Sequence, residues 1–302
     1  MPSQKRSQSS DDTSPVPQKR RRILTDNNHR SAKTPKPKPD GKQQKSLIQL
    51  HFCTDNTVLR TCPSCSLSYT KGVPEDEALH STHCARIQRG MEWGREEERE
   101  RVKADVREIE AGVRLKSGVK GRIICFRADV GGRTGSKVTT ILQTVNLALS
   151  APPLTPQVLR ECKLYLFLVP YQPKSGASRE KIVGCVVAQH IKSAMAIATS
   201  AVASEATTIG EAASLVTVDT GMGIFCYPEH LPTPMGIPRL FVASTHRRQG
   251  IASKLLTTAA KTFIHGYELD PRKGEVAFTQ PTGDGNAIML KWGGGEVRIY
   301  SG

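Results

Sequence analysis

Aromatic residues make up only 5% of this 302-residue chain, and no long stretch of it is apolar throughout. The nearest approach to a membrane span is SAMAIATSAVA at 193–203. It is too short and too rich in small residues for a bilayer, which needs about 20 apolar residues. The polar N-terminus has no apolar segment of the kind a secretory signal carries, so the expectation is a soluble, intracellular protein with no membrane segment. Acidic residues are scarce as well, with 28 Asp and Glu against 43 Lys and Arg. The imbalance is local: residues 1–45 alone carry 12 Lys/Arg and 4 Asp. A basic arm of this kind suits DNA or chromatin through counterion release, and it reads no sequence.

The same 45 residues hold six prolines and almost nothing apolar, so they read as a disordered basic tail. Within it, QKRRR at 18–22 has the form of a nuclear import address and points to the nucleus. KSLIQLHF at 45–52 reads as a strand entering the next unit; Gln44, Leu47 and Leu50 also imitate a sliding-clamp docking motif loosely, without its aromatic pair. Residues 46–90 form the next unit and 91–120 a charged linker. The mixed charges there predict a solvated helix over 95–110, laced with pairs such as Glu97–Arg101 and started by Trp93. From 121 to 302 strand and helix patterns alternate. Strands are expected at 121–129, 163–170, 181–191, 236–244, 275–282 and 296–300, and helices at 137–150 and 252–266. The Ala/Ser/Thr-rich stretch 193–214 reads as a surface insertion. This is a mixed α/β (α+β) domain.

Eight cysteines in a reducing compartment argue for metal before disulfides. Cys62 and Cys65 are spaced for a turn that puts both thiolates on one side. His80 and Cys84 lie four apart, which on a helix presents them one turn apart on the same face. That set suits one tetrahedral zinc, with His83 as the alternative fourth ligand. Pro74, Glu75 and Asp76 suit the first turn of such a helix.

PRLFVASTHRRQGIASKLL runs strand, loop, helix, with Arg247, Gly250 and Ala252 at the junction. Unpaired N–H groups at a helix start grip a pyrophosphate, and small residues let the backbone approach it. The pattern matches the acyl-CoA motif of GCN5-related acetyltransferases. Together with the finger (Tyr69, Thr70 and Pro74 to His80 in its interior) and the block FIHGYEL…EVAFTQPTGDG, the chain resembles the establishment-of-cohesion acetyltransferases of the Eco1/Ctf7 type, a fungal member. The resemblance covers about 60–90 and 236–285.

It implies a GCN5-related fold, a mostly antiparallel sheet flanked by helices, with acetyl-CoA as cosubstrate. It further implies that the backbone of Leu240, Phe241 and Val242 holds the pantetheine arm. Arg248, Gln249, Gly250, Ile251, Ala252 and Ser253 would hold the pyrophosphate, and Thr282, Gly283 and Asp284 the cofactor's far side. The implied reaction is acetylation of lysines on the ATPase head of cohesin's SMC subunit, establishing sister-chromatid cohesion during replication. Pro238 and Gln280 stand where the family has a serine and, in animals, an aspartate, so the general base is not assigned. Glu229, His230 and Asp284 are the candidates by proximity in sequence. The alternative is a chromatin- or nucleic-acid-binding finger protein whose α/β domain binds acyl-CoA without turnover.

Overall fold

A computed structural model describes residues 58–172, 179–198, 215–219 and 224–301. The tail and the segment at 45–52 lie outside the described residues. The chain begins there with a hairpin of β1 (Leu59–Thr61) and β2 (Ser68–Thr70), followed by α1 (Pro74–Arg89). Proline sits in the first turn of α1 with Glu75, Asp76 and Glu77, where a missing N–H costs nothing and negative charge meets the helix dipole.

Gly90 (φ 78°) ends α1 and turns the chain directly into β3 (Met91–Trp93), which pairs with β7 (Arg179–His190) through Met91↔Ile182. A side chain at Gly90 would strike the Ile182 carbonyl. The hairpin-and-helix unit is therefore joined to the large sheet through β3 on the interior strand β7, with no linker between them.

After α2 (Arg95–Arg99), β4 (Arg107–Arg114) and β5 (Lys120–Arg127) form a hairpin, followed by α3 (Gly132–Ala148), α4 (Pro156–Arg160), β6 (Cys162–Tyr171) and β7. Next come β8 (Ser193–Ile197), β9 (Val216–Asp219), β10 (Ile224–Pro232) and β11 (Met235–Val242). The chain closes with α5 (Ile251–Thr262), β12 (Val276–Phe278), α6 (Gly283–Gly293) and β13 (Arg298–Ile299). The sheet runs β4-β5-β6-β7-β11-β12-β13-β8-β10-β9 and is antiparallel except where β12 lies beside β11 and β13. Residues of both parities in β6, from Leu164 to Leu168, are fully buried, so this strand is covered on both faces. Gly184 on β7 lets α5 lie close: a Cβ there would come within 2.6 Å of Ile251 Cγ2 and 2.9 Å of Leu255 Cδ1.

Three expectations are corrected. The charged run forms helix only over 95–99, turns at Asp105 (φ 46°), and continues as strand β4. Its charges pair across elements rather than along a helix: Glu97 meets Lys137 at 3.0 Å, and Arg122 meets Glu98, Glu108 and Glu180 at 2.6–3.0 Å. Trp93 is a buried strand residue whose Nε1 donates to Glu98 at 2.8 Å. The supposed insertion begins as strand β8, with Ala194 fully buried between β13 and β10. Finally, β12 is only three residues long, and α6 and β10 were not anticipated. Thr282 marked the start of α6 by its N-cap chemistry, its Oγ1 accepting from Gly285 N at 3.4 Å.

Candidate functional site

The turn after β1 is closed by Cys62 N donating to Leu67 O (2.9 Å) and Ser66 N donating to Cys62 O (2.8 Å). It faces His80 and Cys84 on α1, and the ligand atoms of Cys62, Cys65, His80 and Cys84 all lie within 4.8 Å of one another. Cys62 Sγ and Cys84 Sγ are 3.9 Å apart, near the edge of about 3.8 Å expected for a tetrahedron of roughly 2.3 Å Zn–S bonds. His80 Nε2 is buried with no hydrogen-bond partner among the described residues, and its ring is stacked on Tyr69 at 4.1 Å. The donor set fits one zinc ion. His83 is not part of it: its ring is buried against the cleft between α1 and α3, beside Gln143, Thr144 and Leu147. The thiols are unequal. A backbone hydrogen bond from Ser64 draws Cys62 down to about 6, whereas burial pushes Cys84 up to about 11.

The second site lies where two parallel strands part. β11 and β12 pair only over Met235–Ile237 with Val276–Phe278. Thr279 closes the contact, its N–H on Ile237 O (3.3 Å) and its Oγ1 on Pro238 O (3.2 Å). Beyond that point Arg239–Val242 stay paired with Val187–Gly184 of β7 on one side only. The facing edge of β11 thus opens backbone groups of Leu240 and Val242 to a crevice, where Arg247 Nε reaches the Val242 carbonyl at 3.4 Å, while Phe241 faces β7.

Because β11 and β12 are parallel, both leave the sheet at the same end. Their two outgoing turns, 243–250 and 279–282, sit there together. In the first, Arg248 (φ 62°) and Gly250 (φ 88°) hold left-handed backbone. Among the described residues no backbone carbonyl accepts from the N–H groups of 248–253; the first to be engaged is Lys254, on Gly250 O at 3.1 Å. Arg248, Gln249, Gly250, Ile251, Ala252 and Ser253 therefore present a nest of free donors at the α5 N-terminus. In the second turn Thr282, Gly283 and Asp284 begin α6, and Arg247 Nη1 reaches Asp284 Oδ2 at 3.0 Å. Ser117 of the β4–β5 hairpin donates to Gln249 Oε1 at 2.9 Å and steadies the nest from behind.

Of the three base candidates, only Asp284 lies at this end. Glu229 and His230 are exposed on β10, which β12, β13 and β8 separate from β11. Neither β11 nor β12 carries a carboxylate or an imidazole. Sequence reasoning missed Arg239, buried at the mouth of the crevice. Its Nε donates to Asn146 Oδ1 (2.7 Å), Nη1 to Pro238 O (2.7 Å) and Nη2 to Pro152 O (2.5 Å), and burial lowers its pKa. A lone cation inside the apolar run GIPRLFV was the available signal.

Two family models match the chain: the zinc-finger of acetyl-transferase ESCO at residues 48–86, and the ESCO1/2 acetyl-transferase at residues 231–300. Among curated proteins, N-acetyltransferase eso1 of Schizosaccharomyces pombe is 27% identical over 85% of this chain and 26% of its own length. N-acetyltransferase ECO1 of Yarrowia lipolytica is 26% identical over 85% of this chain and 75% of its own. N-acetyltransferase ESCO2 of Mus musculus is 28% identical over 81% and 34%. This chain thus spans about a quarter of the first relative and a third of the third. A solved xEco2 acetyltransferase domain superposes with a TM-score of 0.48 at 22% identity, covering 65% of this chain and 96% of that one.

The finger match falls on the Cys62–Cys84 cluster, and the acetyltransferase match falls on the parting strands and the glycine turn. The two matched segments are similar to those of the ESCO acetyltransferases and stand in the order finger first, acetyltransferase segment last.

Proposed function

We propose that this protein is an acetyl-CoA-dependent lysine N-acetyltransferase acting on the SMC ATPase-head subunit of cohesin, and that it works in the nucleus. The observation that carries the chemistry is the parting of β11 from β12 directly above the free N–H groups of 248–253. A pantetheine arm completes the open edge of β11 as a short strand, and the pyrophosphate takes the nest, aided by Arg248. The choice of cohesin is what the resemblance to the establishment-of-cohesion acetyltransferases implies, and the two ESCO-like segments and the similar N-acetyltransferases support that resemblance. The nuclear site rests on the QKRRR cluster.

In the reaction the neutral lysine amine attacks the thioester carbonyl and a C–N bond forms. The C–S bond then breaks, and the departing thiolate takes up the proton lost by the nitrogen. Open N–H groups of β11 are placed to stabilise the carbonyl oxygen as charge develops on it. The amine must first shed a proton, because its ordinary pKa is about 10.4. With no carboxylate or imidazole on β11 or β12, solvent at the crevice mouth is the acceptor in this reading.

The test is incubation with isotopically labelled acetyl-CoA and the cohesin SMC head, read by mass spectrometry against a Gly250→Asp control. Label on head lysines with wild type alone supports the reading. Absence of label with a head that a related enzyme does modify sinks it. That neither β11 nor β12 carries a side-chain base also favours a second reading, a finger protein whose domain binds acyl-CoA without turnover. In that case acetyl-CoA raises the melting temperature while no lysine is labelled.

A further inference from the structure

Gln88 lies one turn beyond Cys84, at the end of the finger helix. Its Nε2 donates to Cys84 Sγ at 3.4 Å. Its main-chain carbonyl is among the last four of α1, which have no partner within the helix. Thr245 supplies that partner, with Oγ1 donating to Gln88 O at 2.7 Å. Thr245 belongs to the 3₁₀ turn Ser244–His246, which joins β11 to Arg247 and the nest.

A threonine hydroxyl has a single hydrogen, and here it goes to Gln88. In the 3.0 Å contact between Thr245 Oγ1 and His246 Nδ1 the imidazole must therefore be the donor. Gln249 Nε2 adds a contact to Thr245 O at 3.5 Å. The connected series is Cys84, Gln88, Thr245 and then the nest. It is anchored at its base because α1 runs without a linker into β3 and the sheet.

We propose that Thr245 is a positioning residue through which the metal-loaded finger holds the acyl-CoA turn in its binding form. The proposal rests on the reading of 248–253 as the acyl-CoA turn. Zinc fixes Cys84 and the end of α1; the Gln88 carbonyl then holds Thr245; and Thr245 sets where Arg247 to Gly250 begin. A ligand's apparent affinity falls with the fraction of protein in the competent form. Anything that releases Thr245 therefore weakens acetyl-CoA binding. Coupling between two sites is reciprocal, so acetyl-CoA must tighten zinc by the same factor by which zinc tightens acetyl-CoA.

The experiment is calorimetric titration of acetyl-CoA into the full-length protein, zinc-loaded and after chelation, for wild type, Thr245→Ser and Thr245→Val. Circular dichroism checks the fold of each. Losing one net hydrogen bond predicts an affinity about two- to tenfold weaker for Thr245→Val, with Thr245→Ser close to wild type. Chelation should weaken wild type and Thr245→Ser by a similar factor and leave folded Thr245→Val nearly unchanged. Zinc competition against a chromophoric chelator should show acetyl-CoA tightening zinc at equilibrium in wild type but not in Thr245→Val.

Equal affinities for zinc-loaded wild type and Thr245→Val overturn the proposal, as does an equal loss on chelation in both. In either case measurable wild-type binding leaves the acetyl-CoA reading standing. Failure of zinc-loaded wild type to bind acetyl-CoA at all removes both.

Discussion

Arg247 and Asp284 form an ion pair at 3.0 Å that joins the turn before α5 to the first turn of α6. Both side chains are well exposed, so the pair contributes no more than about 1 kcal/mol to stability. Its interest is electrostatic: the Asp284 carboxylate engages a cation beside a nest built for phosphate. Asp284→Asn should leave stability within about 1 kcal/mol of wild type. Freeing Arg247 should tighten acetyl-CoA binding about two- to fivefold, more strongly at low salt. Titration at two salt concentrations checks this. A tenfold weakening would instead make Asp284 a direct ligand of the cofactor.

Gly250 is required by its backbone angle rather than by crowding. A Cβ built there meets nothing within 4 Å, whereas φ is 88°. Gly250→Ala should therefore destabilise by about 1–2 kcal/mol through left-handed strain. Gly250→Asp adds a negative charge at the nest and should abolish acetyl-CoA binding in a folded protein. Undiminished affinity of folded Gly250→Asp, measured by calorimetry, would remove the nest from the cofactor site.

Much of this was legible because the signals are local. The spacing of Cys62, Cys65, His80 and Cys84, and the glycine at a strand-to-helix junction, follow from short-range geometry, as do the apolar runs of β6 and β7. What stayed hidden depends on long-range partners. The run at 95–110 has helix-like charge spacing, yet Glu97 is held by Lys137 and the 107–114 segment by β5. β8 looks featureless because its small residues suit a strand packed between two neighbours. Thr245 is an ordinary loop residue until the fold brings Gln88 to it across 157 positions.

The finger should bind one zinc, and Cys65→Ser should lower that affinity sharply while the sheet stays folded. His83 and Cys84 are told apart by the same assay. Since Cys84 lies in the donor cluster and His83 faces the α1–α3 cleft, Cys84→Ala should lose metal and His83→Ala should keep it. Elemental analysis of each purified variant decides, and the reverse pattern would refute the assignment.

His246 lines a small cavity with Arg89, Thr245, Tyr171 and Lys181. Burial first, and then the Lys181 ammonium, hold its pKa below the ordinary 6.5. Above pH 6.5 the ring is largely neutral in folded and unfolded chains alike, and its contribution is complete. As pH falls further, the unfolded chain takes up a proton that the folded one resists, so stability is lost through the folded-state pKa. His246→Asn keeps a donor towards Thr245 without a titrating ring. Urea midpoints at pH 7.5 and 5.5 should therefore fall less for this variant than for wild type; parallel losses would count against the assignment.

Arg239 gives the sharpest separation between charge and shape. Its guanidinium is buried among neutral oxygens from three segments: Asn146 at the end of α3, Pro152 in the following loop and Pro238 on β11 itself. Arg239→Ala leaves all three acceptors short of a donor and should cost about 2–4 kcal/mol. Arg239→Lys keeps the charge but replaces a planar fork with a single point, so it reaches one or two of the three oxygens and recovers less than half of that loss. Because Pro238 is the last residue before β11 parts from β12, both variants should also weaken acetyl-CoA binding. Chemical denaturation together with calorimetry tests the pair. Full recovery of stability by lysine would mean that charge alone is needed there, and that the fork does not set the position of the crevice wall.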